Sequence, residues 1–318
     1  MYPLLLKAPT KDYLWGGNKL KTDFNLESDT DITAEAWMLS CHKDGSNTVL
    51  NGDMKGKSLP EVLKFWGAEA LGENAAPFPY FPILIKLIDA NNKLSVQVHP
   101  SDEYALENEG EFGKTEMWYV VDCKEGAELI YGFLEDISTE EFERRIKDNT
   151  LTDVCNFVPV KKGDVFFISA GTLHAIGEGI LIAEVQQNSN TTYRVSDYGR
   201  LDKDGNPRPL HIEKAVAVTK TQKLTLPYGQ IGEVKYVGKS IVRDLAECEL
   251  FTAKLLTLNE NYTIFKKYSF VSLVVIDGNA TLIYNNETLK IKKGDSIFIP
   301  ANIKVDLIGT AEILMSYV

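Results

Sequence analysis

Hydrophobic and polar residues alternate over short runs along most of the chain, and only a few segments carry apolar residues at helical spacing. The runs EMWYVVDC (116–123), DVFFIS (164–169), ILIAEVQQ (180–187), SFVSLVVIDG (269–278), ATLIYN (280–285) and SIFIPANIKVDLIG (296–309) are rich in β-branched and aromatic residues. Gly and Asn punctuate them, so each predicts strand. Three segments read as helix. SLPEVLKFWGAEALG, from Ser58, has a Ser cap, an early Pro and a Glu three residues on. STEEFERRIKDN, from Ser138, reads the same way, and HIEKAVAVT, from His211, follows the loop YGRLDKDGNPRPL, whose Gly, Asn, Asp and Pro mark a long turn. The pattern predicts a mainly β protein with a small helical excursion.

An internal repeat sharpens this. VKKGDVFFISAGTLHAI, from Val160, aligns without a gap to IKKGDSIFIPANIKVDL, from Ile291, 131 positions later. Charged KKGD followed by strand residues is a turn entering a strand, and its recurrence suggests a duplicated β-barrel unit. The expected division is residues 1–235, carrying the helical segments, and residues 236–318. The first copy has His174 where the second has Val305. If the unit binds a metal, the C-terminal copy has lost its site and is structural.

Composition narrows the function classes. The 318 residues, 44% hydrophobic, suffice for one large core or two ordinary ones. No stretch reaches 18 apolar residues, and the opening MYPLLLKAPTKDYLWGG lacks the basic start and small-residue cleavage site of a leader. The expectation is a soluble, cytoplasmic protein. Cys41, Cys123, Cys155 and Cys248 are far apart and form no CxxC, which argues for free thiols. The net charge of -11 argues against nucleic acid or an anionic membrane as partner. A small anion would need a local group of Lys or Arg.

Candidate chemistry begins at KLSVQVHP. Gln97 and His99 lie two apart and share one face of a strand, with Val96 and Val98 on the other. A lone histidine there is more often a hydrogen-bonded core residue than a ligand. Glu116, with Lys114 on its own face, and His174, after a small-residue turn, change that reading. Together they give an amide oxygen, a carboxylate and two imidazoles on neighbouring strands. That N/O set suits zinc, with iron, manganese and cobalt as alternatives. His42, in a polar turn, is expected to be solvated, and His211 to open a helix.

Gly163, Ser169-Ala170-Gly171 and His174 together resemble the second cupin motif, with Ser169 in the usual Pro place; the C-terminal copy keeps Pro300 there. More specifically, LSVQVHP, GKTEMWYV, GTLHAIGEGILIAE and NTTYRVSDYGR, in that order, resemble the type I mannose-6-phosphate isomerases (phosphomannose isomerases) in a short form. The resemblance runs from DYLWGG to the C-terminal barrel. It implies two cupin-type jelly-roll barrels and a zinc-dependent interconversion of mannose 6-phosphate and fructose 6-phosphate. It further implies one Zn2+ held by Gln97, His99, Glu116 and His174, and Arg194 as the active-site arginine. Lys114 matches a lysine proposed as acid/base, and Glu184 an acidic pocket residue that could serve instead. Lys86, Ser95 and Trp15 fall where the family contacts its substrate, and Lys86 with Ser95 supplies the positive start that a phosphate requires. Two departures stand out: the short stretch between Glu116 and His174 reduces the helical insertion of longer members to the Ser138 segment, and Thr115 replaces a frequent Pro. The expected partner is a small sugar phosphate, for a monomer or homodimer. The competing readings are an iron-dependent cupin oxygenase, whose usual ligand set is richer in His, and a non-catalytic sugar-binding cupin.

Overall fold

Strands dominate the computed structural model, which describes residues 1–201 and 205–318. Three antiparallel sheets account for nearly all of them. A six-stranded sheet runs in the order Val165–Ile168, Glu116–Cys123, Ile180–Gln187, Ile83–Ala90, Glu35–Leu39, Thr10–Lys11. A five-stranded sheet runs Cys155–Pro159, Glu128–Phe133, His174–Ala175, Val96–Val98, Tyr193–Ser196. A nine-stranded sheet holds the C-terminal part of the chain together with Leu4–Lys7 and Thr48–Val49.

The period of two assigns each face. In the six-stranded sheet, Ile83, Ile85, Leu87, Met117, Ala183 and Val185 point outward and pack with Phe298 and Leu314 of the nine-stranded sheet and with Phe251 and Phe270, which immediately precede two of its strands. The alternate residues Ile88, Trp118, Val120, Phe166 and Ile182 point the other way and meet Leu129, Tyr131 and Val158 of the five-stranded sheet, forming the first barrel's interior. The same inward rows end in charge, at Glu35, Lys86, Glu116 and Glu184, all buried. One end of this barrel is therefore apolar core and the other is chemistry.

The five-stranded sheet carries Val96, Val98, Ala175 and Val195 on its outer face, covered by Phe142 and Ile146 of helix Thr139–Lys147 and Ala215 of helix Ile212–Val218. Both those helices and Leu59–Trp66 fall in the predicted segments, the last with a complete capping box between Ser58 and Glu61. The helix Asp102–Asn108 was not expected; it is only seven residues long, and Ser101 makes no side-chain cap. Two predicted strands, SFVSLVVIDG and ATLIYN, are one strand, Val271–Tyr284, because a bulge between Val275 and Asp277 lets the ladder continue.

The repeat is a structural one. In both copies the first Lys donates its backbone N–H to the Asp Oδ2 at 2.8 Å, and the Gly is left-handed, with φ of +92° at Gly163 and +91° at Gly294. The strands that follow are Val165–Ile168 and Ser296–Ile299. Val305, opposite His174 in the alignment, is fully buried in an aliphatic interior with Leu273, Ile297, Ile299, Leu307 and Ile313. Alternate residues from strands of one sheet bury each other there, so that sheet folds over on itself around a second, filled interior.

The two turns differ in surroundings. A Cβ on Gly294 would lie 2.1 Å from the Phe24 carbonyl oxygen, whereas on Gly163 its nearest neighbour is Gln230 Nε2 at 3.5 Å. Gly163→Ala is expected to cost about 1–2 kcal/mol for the left-handed backbone alone. Gly294→Ala should cost clearly more, and urea unfolding of the two variants checks the order.

Candidate active site

The donors come from both walls of the first barrel. Gln97 and His99 end the strand Val96–Val98, His174 starts its neighbour and pairs in register with Gln97, and Glu116 begins a strand of the opposite sheet. Arg194 pairs with Gln97 on the other side. Glu184 and Lys86 are register partners in the six-stranded sheet.

His99, Glu116 and His174 are fully buried, and their ligand atoms lie within 4.8 Å of one another. His99 Nδ1 is 2.9 Å from the Thr191 carbonyl and His174 Nδ1 is 2.8 Å from that of Thr172. A carbonyl can only accept, so each Nδ1 carries the proton and each Nε2 offers a lone pair. Both lone pairs are near Glu116 Oε1, at 3.7 Å from His99 and 3.5 Å from His174. His99 Nε2 and Glu116 Oε1 have no hydrogen-bond partner among the described residues. Buried polar atoms without partners are costly, and two donors about 2.1 Å from one tetrahedral ion lie about 3.4 Å apart. The three side chains thus fit a divalent cation. Gln97 is placed beside them, with Nε2 3.3 Å from His174 Nε2 and Oε1 3.4 Å from Ser95 Oγ. An amide rotation exchanges those atoms, and only the oxygen can serve a metal.

Burial sets the electrostatics. It pushes both imidazoles below their ordinary range, His174 to about 4, and so keeps them neutral as ligation requires. Burial, with the Glu184 carboxylate second, pushes Glu116 up. Glu184 is also penalised by burial, but Lys114 and Lys86 outweigh that and hold it low, helped by the Trp118 Nε1–H bond at 2.9 Å. Lys86 is flanked by Glu184 at 3.3 Å and Glu35 at 3.8 Å; these carboxylates overcome its burial and raise it.

A cavity of about 290 Å³ opens over the donors. Gln97, Lys114, Glu184, Arg194, Lys86, Ser95 and Trp15 all line it. Lys114 Nζ lies 3.1 Å from Glu116 Oε2. Every residue singled out in the sequence for catalysis, substrate or metal is therefore in this cavity or at its floor. Sequence reading missed Glu35, Trp118 and Arg208, which line the cavity too. Glu35 had a signal, an acid inside the apolar run EAWML; Arg208, in an irregular loop, had none. The tip of that loop, residues 202–204, lies outside the described residues.

One histidine needs correction, and a second does more than the sequence suggested. His42 is not solvated but buried, because its ring edge packs on Trp37 and its Nδ1 accepts the Asp44 N–H at 3.1 Å. Its Nε2 is 3.7 Å from Glu111, whose other oxygen accepts from Thr191 Oγ1 at 3.1 Å, so His42 stands behind the carbonyl that orients His99. His211 does precede a helix, but its Nδ1 also accepts the Arg194 N–H at 3.1 Å and anchors that strand.

Comparison with known proteins follows the same lines. The profile of the phosphomannose isomerase type I catalytic domain matches residues 4–143, and that of the mannose-6-phosphate isomerase cupin domain matches residues 242–318. The mannose-6-phosphate isomerase of Streptococcus mutans serotype c is 37% identical over 316 residues, covering 99% of this chain and 98% of its own. The mannose-6-phosphate isomerase ManA of Bacillus subtilis is 36% identical over 317 residues, with the same coverage. A crystal structure of the mannose 6-phosphate isomerase from Bacillus subtilis superposes with a TM-score of 0.91 at 35% identity over the whole of both chains.

Proposed function

We propose a reaction for a chain that belongs to the type I phosphomannose isomerases: interconversion of mannose 6-phosphate and fructose 6-phosphate through an enediol, at a zinc ion held by His99, Glu116, His174 and Gln97. The observation that carries it is the buried donor set of His99, Glu116 and His174, with His99 Nε2 and Glu116 Oε1 unpartnered, at the floor of a cavity that Lys114, Glu184 and Arg194 also line. When bound, the cation supplies Lewis-acid polarisation of the sugar carbonyl and favours negative charge on the oxygens at C1 and C2.

The chain's own residues do the rest. In the aldose-to-ketose direction a base removes the proton from C2 and returns one to C1, while a hydroxyl proton passes from O2 to O1. Lys114 is assigned to proton transfer because its Nζ is buried inside the cavity beside Glu116. Glu184 is tied to Trp118 and Lys86 and held in its charged form, which makes it the weaker base and suits it to fixing Lys86. Arg194, always protonated, donates to the oxyanion that develops. Lys86, Ser95 and Trp15 contact the sugar, and the apolar wall of Ile88, Leu94 and Ile176 limits water. Residues 1–235 form the catalytic unit in this reading and residues 236–318 the supporting one. The readings as an iron oxygenase or as a non-catalytic cupin gain nothing from the relatives, which are isomerases over their full length.

A coupled assay across several aldose phosphates, with elemental analysis of the bound metal, tests this. Dialysis against a strong chelator is expected to abolish turnover of mannose 6-phosphate, and added Zn2+ to restore it. Undiminished turnover by a metal-free preparation would sink the metal mechanism.

A further inference from the structure

A sugar phosphate brings about two negative charges into a protein whose net charge is already -11. The buried lysines of the cavity do not meet that demand. Lys86 sits between Glu35 and Glu184, and Lys114 sits on Glu116, so each ammonium already faces a carboxylate at 3.8 Å or less. At the edge of the cavity the balance is reversed. Arg200 and Arg208 both bind the buried carboxylate of Asp197, and Arg194, whose charge is disfavoured by burial first and by Arg208 second, lies close enough to feel that same carboxylate. Among the described residues, then, one carboxylate serves three guanidiniums.

The three are not equivalent. Arg200 turns away to the Lys93 carbonyl and does not line the cavity, whereas Arg194 and Arg208 do. Arg194 gives Nη1 to the Pro209 carbonyl at 3.0 Å, on the strand that carries it past Gln97. Arg208 is fixed by a two-point fork, Nε to Asp197 Oδ2 at 2.8 Å and Nη2 to Oδ1 at 2.5 Å, which leaves Nη1 outside it. A planar guanidinium clamped on one side and presented to a cavity on the other is suited to an oxyanion with several acceptor oxygens.

The geometry points to Arg208, positioned by Asp197, as the residue that selects for the phosphate group of the substrate, leaving Arg194 to the reacting oxygens. The assignment rests on the isomerase reading, because that reading puts C1 and C2 at the donor cluster and the phosphate at the far end of the sugar.

The test titrates zinc-loaded wild type, Arg208→Gln and Arg208→Lys calorimetrically with fructose 6-phosphate and with inorganic phosphate, and measures kcat and KM for mannose 6-phosphate. For Arg208→Gln the expected result is a loss of about ten- to hundredfold in affinity for both probes, with KM raised similarly. Its kcat should change far less, and zinc content and melting temperature should match wild type. Arg208→Lys, which keeps charge but not the fork, should recover part of the loss. Unchanged affinity for both probes in Arg208→Gln, or a fall in kcat and zinc content in place of the KM effect, overturns the assignment. Failure of the isomerase reading shows separately, as wild-type protein that does not turn over mannose 6-phosphate.

Discussion

His99→Ala is expected to lose bound metal and activity together, with kcat/KM for mannose 6-phosphate reduced by about a thousandfold or more, since a Lewis acid supplies several kcal/mol to a transition state. The expectation follows from the geometry of one ring. His99 is fixed by the Thr191 carbonyl, and that contact alone decides that Nε2 is a lone pair directed at Glu116 Oε1. Alanine removes the donor and leaves a buried cavity facing a buried carboxylate, so the remaining His174 and Glu116 hold a cation weakly. Elemental analysis after gel filtration measures the loss of zinc, and the coupled assay the loss of rate. Full zinc content with normal activity in this variant would show that the ligand set is elsewhere.

Arg194→Ala is expected to behave in the opposite way with respect to metal. The hydrogen bonds of Arg194 among the described residues go to Pro209 and His211, and the metal donors are held by Thr191 and Thr172 instead. Zinc content should stay at the wild-type level. The kcat should fall by about 100- to 1,000-fold, the usual consequence of removing one preorganised donor to a developing oxyanion. Loss of zinc from Arg194→Ala would instead make the arginine part of the support for the metal. Read side by side, the two variants separate holding the cation from stabilising charge on the substrate.

Much of this site was legible because strands have a period of two. Gln97 and His99 share a face by spacing alone, and the valines between and before them are found on the opposite face, under helices Thr139–Lys147 and Ile212–Val218. The KKGD turn was legible for a similar reason, since Gly followed by Asp specifies a left-handed turn whose Asp bonds back to the chain. His42 was misread because local polarity says little about burial: HKDG looks like a solvated turn, yet the Trp37 ring packs against it and Glu111 arrives from a distant part of the chain. Glu35 and Trp118 were overlooked for the related reason that each belongs to the cavity through long-range strand pairing, and Arg208 because it sits in an irregular loop and is held by its fork to Asp197.

The sequence by itself determined that this is a mainly β, duplicated protein, that Gln97 and His99 share one face of a strand, and that only the first copy keeps its histidine, because these are matters of local period, turn chemistry and residue type. The tertiary structure alone decided that Glu116 from one sheet meets His99 and His174 from the other, that Lys86 is neutralised by Glu35 and Glu184, and that the opening strand Leu4–Lys7 is paired into the C-terminal sheet. Closing a barrel sets distances between strands far apart in the chain, and no local pattern encodes those distances. Charge balance at a buried site is set by the same closure, since it depends on which carboxylates the opposite wall brings within reach of each lysine.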